Sequence, residues 1–179
     1  ITLKQLRPLA PSRILDMGTG SGVIGITLAL EYGAQSQVDC VDTSAEALEL
    51  TLKNTTSNGA ENCSIKQSNL FAELDSKYDL IVANLPYVPE PDRSTLAAEL
   101  TYDPDLALYS GEDGLDIIRE FIQKCPSKLE IGGVIALEIG IHQNEEVEKL
   151  LESAGFSDIT TFPDLSGIYR FPTARWAGN

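Results

Sequence analysis

The chain has 179 residues, 42% hydrophobic, 22% charged and 7% aromatic, with 27 acids against 13 bases and a formal charge of −14. Such a length suits one compact domain that removes roughly 70% of its unfolded surface from water, and no apolar run reaches the ~20 residues needed to cross a bilayer. An acidic surface repels phosphate backbones and anionic membranes, which disfavours a nucleic-acid or membrane partner.

The chain opens on Ile1 rather than Met, which is expected of a fragment or a processed chain. Arg13 to Asp16 reads as a short apolar strand, followed by glycines and the helical run Val23 to Tyr32. Gln37 to Asp42 is a second strand. A helix over Thr43 to Asn58 opens on a capping box, Thr43 with Glu46, and stops at Gly59. Asn62 to Gln67 and Asp79 to Asn84 are the third and fourth strands. Leu115, Ile118, Phe121, Ile122 and Cys125 recur at helical spacing behind Asp113, a candidate N-cap. Val134 to Ile139 is a fifth strand, and Asn144 to Ala154 a helix closed by Gly155. Ser157 to Phe162 and Tyr169 to Trp176 read as an antiparallel terminal pair. Strands alternating with helices predict an α/β fold whose mostly parallel, seven-stranded sheet is covered on both faces. Ligands of such sheets sit beyond the carboxyl ends of the strands, where strand order reverses.

Cys40, Cys63 and Cys125 form no C-x-x-C pair, and His142 is the one histidine. Free thiols of a reducing cytoplasm are expected, with neither a metal site nor a histidine relay. Residues 88–116 hold eight acids, among them Glu99, Asp103 and Asp105, against Arg93 alone. The stretch reads either as a solvated loop and helix start or as a docking edge for a basic partner.

Asp16-Met17-Gly18-Thr19-Gly20-Ser21-Gly22 closes the first strand. Alternate glycines permit a tight turn and close approach of a ligand to the backbone. Gly20, Gly22 and Gly25 formally satisfy G-x-G-x-x-G, yet a structural turn or a dinucleotide site would each explain that spacing. Asp16 stands where a pyrophosphate would be repelled and a ligand bearing an ammonium and a sulfonium favoured. S-adenosylmethionine is such a ligand. Asp42 closes the second strand 24 residues after Gly18, where an acid reaches ribose hydroxyls or simply caps the next helix. Asn84-Leu85-Pro86-Tyr87 follows the fourth strand, expected beside the first. The Asn84 side-chain carbonyl and the Leu85 backbone carbonyl can each accept a hydrogen bond from an incoming NH₂ group, while Tyr87 can stack on a flat amide or base.

These residues resemble a known family. The glycine segment is similar to motif I of class I S-adenosylmethionine-dependent methyltransferases, and Asn84 to Tyr87 to the Asn-Pro-Pro-Tyr motif of amino-methylating members. Asp103 to Leu108, Gly111 to Asp116, Leu137 to Gly140, and Asp164 to Gly167 with Arg170 resemble segments of the HemK/PrmC family. The resemblance implies a cytoplasmic, monomeric protein-glutamine N5-methyltransferase. Its partner would be a peptide chain release factor, methylated on a Gly-Gly-Gln motif in translation termination. It also implies that Asp16, Gly18 to Gly22 and Asn84 contact the cofactor, with Asp42 at its ribose and Asn69-Leu70 at its adenine. Asn84 to Tyr87 would hold the substrate amide, with Asn84 and Tyr87 the catalytic pair. Leu85 replaces a usual proline, Asn69 an aspartate and Asp103 a glutamate. Residues 1–179 read as a single catalytic domain, without the family's N-terminal helical domain, since nothing before Leu9 could supply it. Three rivals stay open: an rRNA adenine N6-methyltransferase, whose motif takes the form Asn-Leu-Pro-Tyr, a ribosomal-protein glutamine methyltransferase, and a non-catalytic binding module.

Overall fold

A computed structural model describes residues 10–94 and 109–178. Its seven strands are β1 (Arg13–Met17), β2 (Gln37–Asp42), β3 (Cys63–Gln67), β4 (Tyr78–Ala83), β5 (Leu129–Leu137), β6 (Phe156–Pro163) and β7 (Tyr169–Trp176). They form one sheet in the order β3-β2-β1-β4-β5-β7-β6. Strands β1 to β5 pair in parallel, whereas β7 runs antiparallel to both β5 and β6. The chain moves outward from β1 to β3 and then returns to place β4 on the other side of β1. Strand order therefore reverses between β1 and β4, and a crevice opens at their carboxyl ends.

Both faces of the sheet are buried, which is why its strands read as continuous apolar runs. Side chains alternate between the faces with period two. Ile14, Val38, Cys40, Leu80 and Val82 meet α1 (Val23–Tyr32) through Ile26, Leu28 and Ala29. Leu15, Met17, Val41, Ile81 and Ala83 face the opposite layer. There Ile118, Phe121 and Ile122 of α3 (Asp116–Lys124) and Val147 and Leu151 of α4 (Asn144–Ser153) close the core. Phe71 stacks on Phe121 with centroids 5.3 Å apart.

Several expected boundaries move. Helix α2 (Ala45–Asn58) is capped by Ser44 rather than Thr43: Ser44 Oγ accepts from the Ala47 amide at 3.1 Å and donates to Glu46 at 2.8 Å. The expected Thr43 box is one residue early because Asp42 already turns the chain, accepting from the Ser44 amide at 3.0 Å. Asp113 does not cap α3; its Oδ1 accepts from Leu115, one turn ahead of the helix. Strand β4 ends at Ala83, leaving Asn84 in the loop. Strand β5 begins five residues earlier than expected, at Leu129, because Gly132 in left-handed backbone and a register shift beside Tyr78 and Leu80 interrupt its apolar run. Leu9, Glu99 and the expected motif Asp103 to Leu108 lie outside the described residues. No helix of the described residues is long and apolar enough to cross a membrane.

Candidate functional site

The glycine loop leaves β1 and is strapped to the end of β2. The amides of Gly18 and Thr19 both donate to the Val41 carbonyl, at 2.8 and 2.9 Å. Gly18, Gly20 and Gly22 all adopt positive φ, at 71°, 56° and 83°, a conformation that side chains resist. Gly18 has a second reason to lack a side chain. A Cβ there would come within 3.2 Å of the Leu85 side chain and 3.3 Å of the Asn84 carbonyl oxygen. The loop after β1 and the loop after β4 thus touch, as the pairing of Met17 with Ala83 dictates.

Asp16 lies beneath this loop rather than lining it. Only 1% of it is exposed. Its Oδ2 accepts from Thr19 Oγ1 at 2.6 Å and from the Gly25 amide at 2.8 Å, bracing the loop against the first turn of α1. That helix starts at Val23 behind Gly22, which offers no capping side chain. A Cβ on Gly25 would sit 2.5 Å from Cys40 Sγ and 2.9 Å from Asp16 Oδ2, so only glycine admits the acid here. Oδ1 is buried and has no hydrogen-bond partner among the described residues. Burial pushes the Asp16 carboxyl up to about 6, against the lowering pull of the Thr19 and Gly25 bonds.

Asp42 is half-buried at the end of β2. Its Oδ2 accepts from the Gly20 amide at 2.9 Å, so this acid fixes the loop. Next to it the Ser68 amide donates to the Asp42 carbonyl, which brings Asn69 and Leu70 alongside. Asn69 is exposed; Leu70 is buried and holds a left-handed φ of 48°. A leucine pays about 1–2 kcal/mol for that backbone, and Ser68 Oγ secures it by donating to the Leu70 carbonyl at 2.8 Å. Ser21 is half-buried, its carbonyl taken by Asn54 Nδ2 at 2.8 Å, while Thr51 Oγ1 donates to the Gly20 carbonyl at 2.8 Å. Sequence reading missed Thr51 and Asn54, since nothing in α2 sets them apart from other polar helix residues.

Across the crevice, Asn84 is exposed and Leu85 buried. Leu85 fills the core beneath the Gly18 backbone, so the leucine that replaces the family's proline anchors this loop through packing. Tyr87 is half-buried. Its hydroxyl accepts from Arg170 Nη2 at 2.7 Å and donates to Glu138 Oε1 at 3.2 Å. Its carbonyl accepts from Gln143 Nε2 at 2.9 Å, a side chain that also bonds to the Asp113 carbonyl and the Gly140 amide. Gly114 lies so close to the Tyr87 carbonyl that a Cβ would collide with it. Glu138, Gln143 and Arg170 therefore hold Tyr87 in place. Spacing gave no sign of their link to Tyr87, although two of them lie in segments marked by the family resemblance.

The cradle suits a cationic nucleoside ligand. Its glycine backbone is braced by Asp42 at the rim and Asp16 beneath, and no lysine or arginine of the described residues bonds to the loop. A sheet wound in this order, with its glycine loop at the switch point, defines the class I S-adenosylmethionine-dependent methyltransferases, and S-adenosylmethionine is the methyl donor of that class. The chain belongs to the methyltransferase small domain family, whose model matches residues 1–162. It is 38% identical over 178 residues to the release factor glutamine methyltransferase of Deinococcus radiodurans, covering 99% of this chain and 63% of that relative. It is also 38% identical over 164 residues to the ribosomal protein uL3 glutamine methyltransferase of Bordetella pertussis, covering 90% of this chain and 51% of that relative. The chain thus spans between half and two thirds of the relatives it matches. Among solved structures, the ribosomal protein L11 methylase of Lactobacillus delbrueckii subsp. bulgaricus shares the fold, with a TM-score of 0.72 at 22% identity, over 98% of this chain and 76% of that one.

Proposed function

We propose that this chain is the catalytic unit of a protein-glutamine N5-methyltransferase that modifies the Gly-Gly-Gln motif of a peptide chain release factor. The observation that carries the reading is the contact between Gly18 and the Asn84–Leu85 segment, which sets a donor cradle and an amide-gripping loop side by side. Identity with release factor glutamine methyltransferases supports the substrate class. Relatedness to a ribosomal protein uL3 glutamine methyltransferase makes a ribosomal-protein glutamine the second reading. Three cysteines without a disulfide are consistent with a cytoplasmic setting.

S-adenosylmethionine, when bound, supplies a methyl group on a positively charged sulfur. Gly18, Thr19, Gly20, Ser21 and Gly22 would present backbone to it, Asp42 would receive its ribose hydroxyls, and Asn69 and Leu70 would flank its adenine. Asp16 would act from below, as a fixed negative charge favouring a cationic ligand. A glutamine amide is a poor nucleophile because its nitrogen lone pair is delocalised into the carbonyl. Asn84 Oδ1 and the Leu85 carbonyl would accept its two hydrogens, raising electron density on nitrogen and fixing its direction. Orientation of this kind supplies roughly 7–11 kcal/mol of a barrier. The nitrogen would gain the methyl carbon as the methyl–sulfur bond breaks, with S-adenosylhomocysteine as the leaving thioether, and would release one proton to water to give N5-methylglutamine. Asn84→Ala should cut methylation of a release factor about 10²–10³-fold, the usual loss of a preorganised hydrogen-bonding group, and leave cofactor affinity within about twofold. Mass spectrometry of the modified peptide and calorimetry read the two quantities. Equal activity in both proteins, or label entering rRNA alone, refutes the assignment.

A further inference from the structure

We infer that Glu138 and Arg170 are positioning residues that lock the Tyr87 ring as a fixed wall of the acceptor slot. This rests on the reading of Asn84 to Tyr87 given above.

Three side chains form a closed cycle. Arg170 Nη2 donates to the Tyr87 hydroxyl at 2.7 Å and to Glu138 Oε1 at 3.1 Å, and the hydroxyl donates to the same Oε1 at 3.2 Å. The Arg170 guanidinium carbon also lies over the Tyr87 ring, 5.4 Å from its centroid. The cation thereby sits at the hydroxyl end of the ring, where it holds the phenol oxygen. Arg170 is itself fixed, because its Nε donates to the Ile139 carbonyl at 2.9 Å and its own carbonyl accepts from the Ile139 amide at 3.0 Å. Gln143 holds the main chain of Tyr87 from the other end. The ring is clamped at its hydroxyl and at its backbone.

Each member of the cycle has a separate task. Both ionic side chains are largely withdrawn from water, with 22% and 28% exposure, so their pairing is screened less than a surface ion pair. An unpaired guanidinium behind the ring would oppose the positive charge that gathers on the acceptor nitrogen. Glu138 neutralises it. Burial, and Glu138 after it, also push the Tyr87 hydroxyl above its usual range, which keeps it protonated and able to donate. Arg170 lies 83 residues from Tyr87 in the chain, and the antiparallel return of β7 beside β5 brings them together.

Arg170→Lys tests the lock, since it keeps the charge for Glu138 and removes the planar fork that spans the Tyr87 hydroxyl and the Ile139 carbonyl. With a Gly-Gly-Gln peptide as acceptor, KM should rise about tenfold while kcat stays within about threefold and cofactor Kd within about twofold. A parallel rise in KM and cofactor Kd would mean a loosened fold and overturn the inference, as would an unchanged KM. Ring NMR of labelled tyrosine, assigned with Tyr87→Phe, needs no turnover. Separate signals for the two sides of the Tyr87 ring are expected in the wild type, and averaged signals in Arg170→Lys. Averaged signals in the wild type overturn the lock. A locked ring in a wild-type protein that methylates no glutamine upholds the lock and overturns the proposed function alone.

Discussion

Asp16 and Asp39 stand on neighbouring strands, Leu15 pairing with Asp39 and Asp16 with Cys40, and they point to opposite faces of the sheet. Both are buried, at 1% and 2% exposure, yet they are treated differently. Asp39 Oδ2 accepts from Lys66 Nζ and from the Tyr78 hydroxyl, each at 2.8 Å, with Arg13 at 3.6 Å. Burial, with Asp39 beside it, raises the Tyr78 hydroxyl well above the usual phenol range. Among the described residues Asp16 has no cation beside it, and one of its oxygens has no hydrogen-bond partner. A buried acid that serves only the fold is neutralised. One that lies under a ligand cradle is left charged and costly, a stability loss that a cationic ligand would offset.

The largest effect follows from that contrast at Asp16. Below pH 3.8 the folded and unfolded chains both hold its proton, and burial carries no ionic cost. Between 3.8 and about 6 the unfolded chain releases the proton while the folded chain keeps it, so stability falls as pH rises through this window. Above about 6 the loss is complete. Its size is about 3 kcal/mol at roughly 1.4 kcal/mol per pH unit. Asp16→Asn should therefore unfold at higher denaturant concentration than the wild type at pH 7.5 and lose that advantage near pH 4. Its affinity for S-adenosylmethionine should fall about tenfold, the equivalent of roughly 1.4 kcal/mol. An Asn variant that is destabilised at pH 7.5, or that binds the cofactor as tightly as the wild type, breaks the contrast.

Asp39→Asn should act with the opposite sign and less strongly. Lys66 and Arg13 are 38% and 45% exposed, so both can rehydrate once the charge is gone. The loss should be about 2 kcal/mol, below that of a fully buried broken pair. Cofactor affinity should stay unchanged. Calorimetric titration beside chemical unfolding separates the two aspartates, and any cofactor effect at Asp39 would show that the two faces of the sheet are not independent.

Much of this arrangement was legible in sequence because local pattern and tertiary role agree. β2, β7 and α1 fall where alternation or helical spacing places them, and Gly18 to Gly22 announce a tight turn. The failures have physical causes. β5 hides its first residues behind Gly132 and Gly133. In α2 the exposed residues include Leu50 and Leu52, while Thr51 and Thr55 are buried, because Thr51 is needed to hold the Gly20 carbonyl. Hydrophobic periodicity cannot reveal a polar anchor of that kind. Leu70 adopts a backbone that its side chain gives no reason to expect. Asp16 was visible as an acid at a strand end, but its burial depends on Gly25 and Cys40, which only the folded sheet brings against it. The link from Tyr87 to Glu138 and Arg170 spans the chain and exists only after β7 has turned back along β5.

The most direct test is a crystal structure of the chain with S-adenosylhomocysteine and a Gly-Gly-Gln peptide. The thioether sulfur should lie above Gly18, facing a glutamine carboxamide whose NH₂ group is shared by Asn84 Oδ1 and the Leu85 carbonyl, with no side chain between them. A carboxamide seated away from Asn84, or parted from the sulfur by Leu85 or Tyr87, contradicts the account.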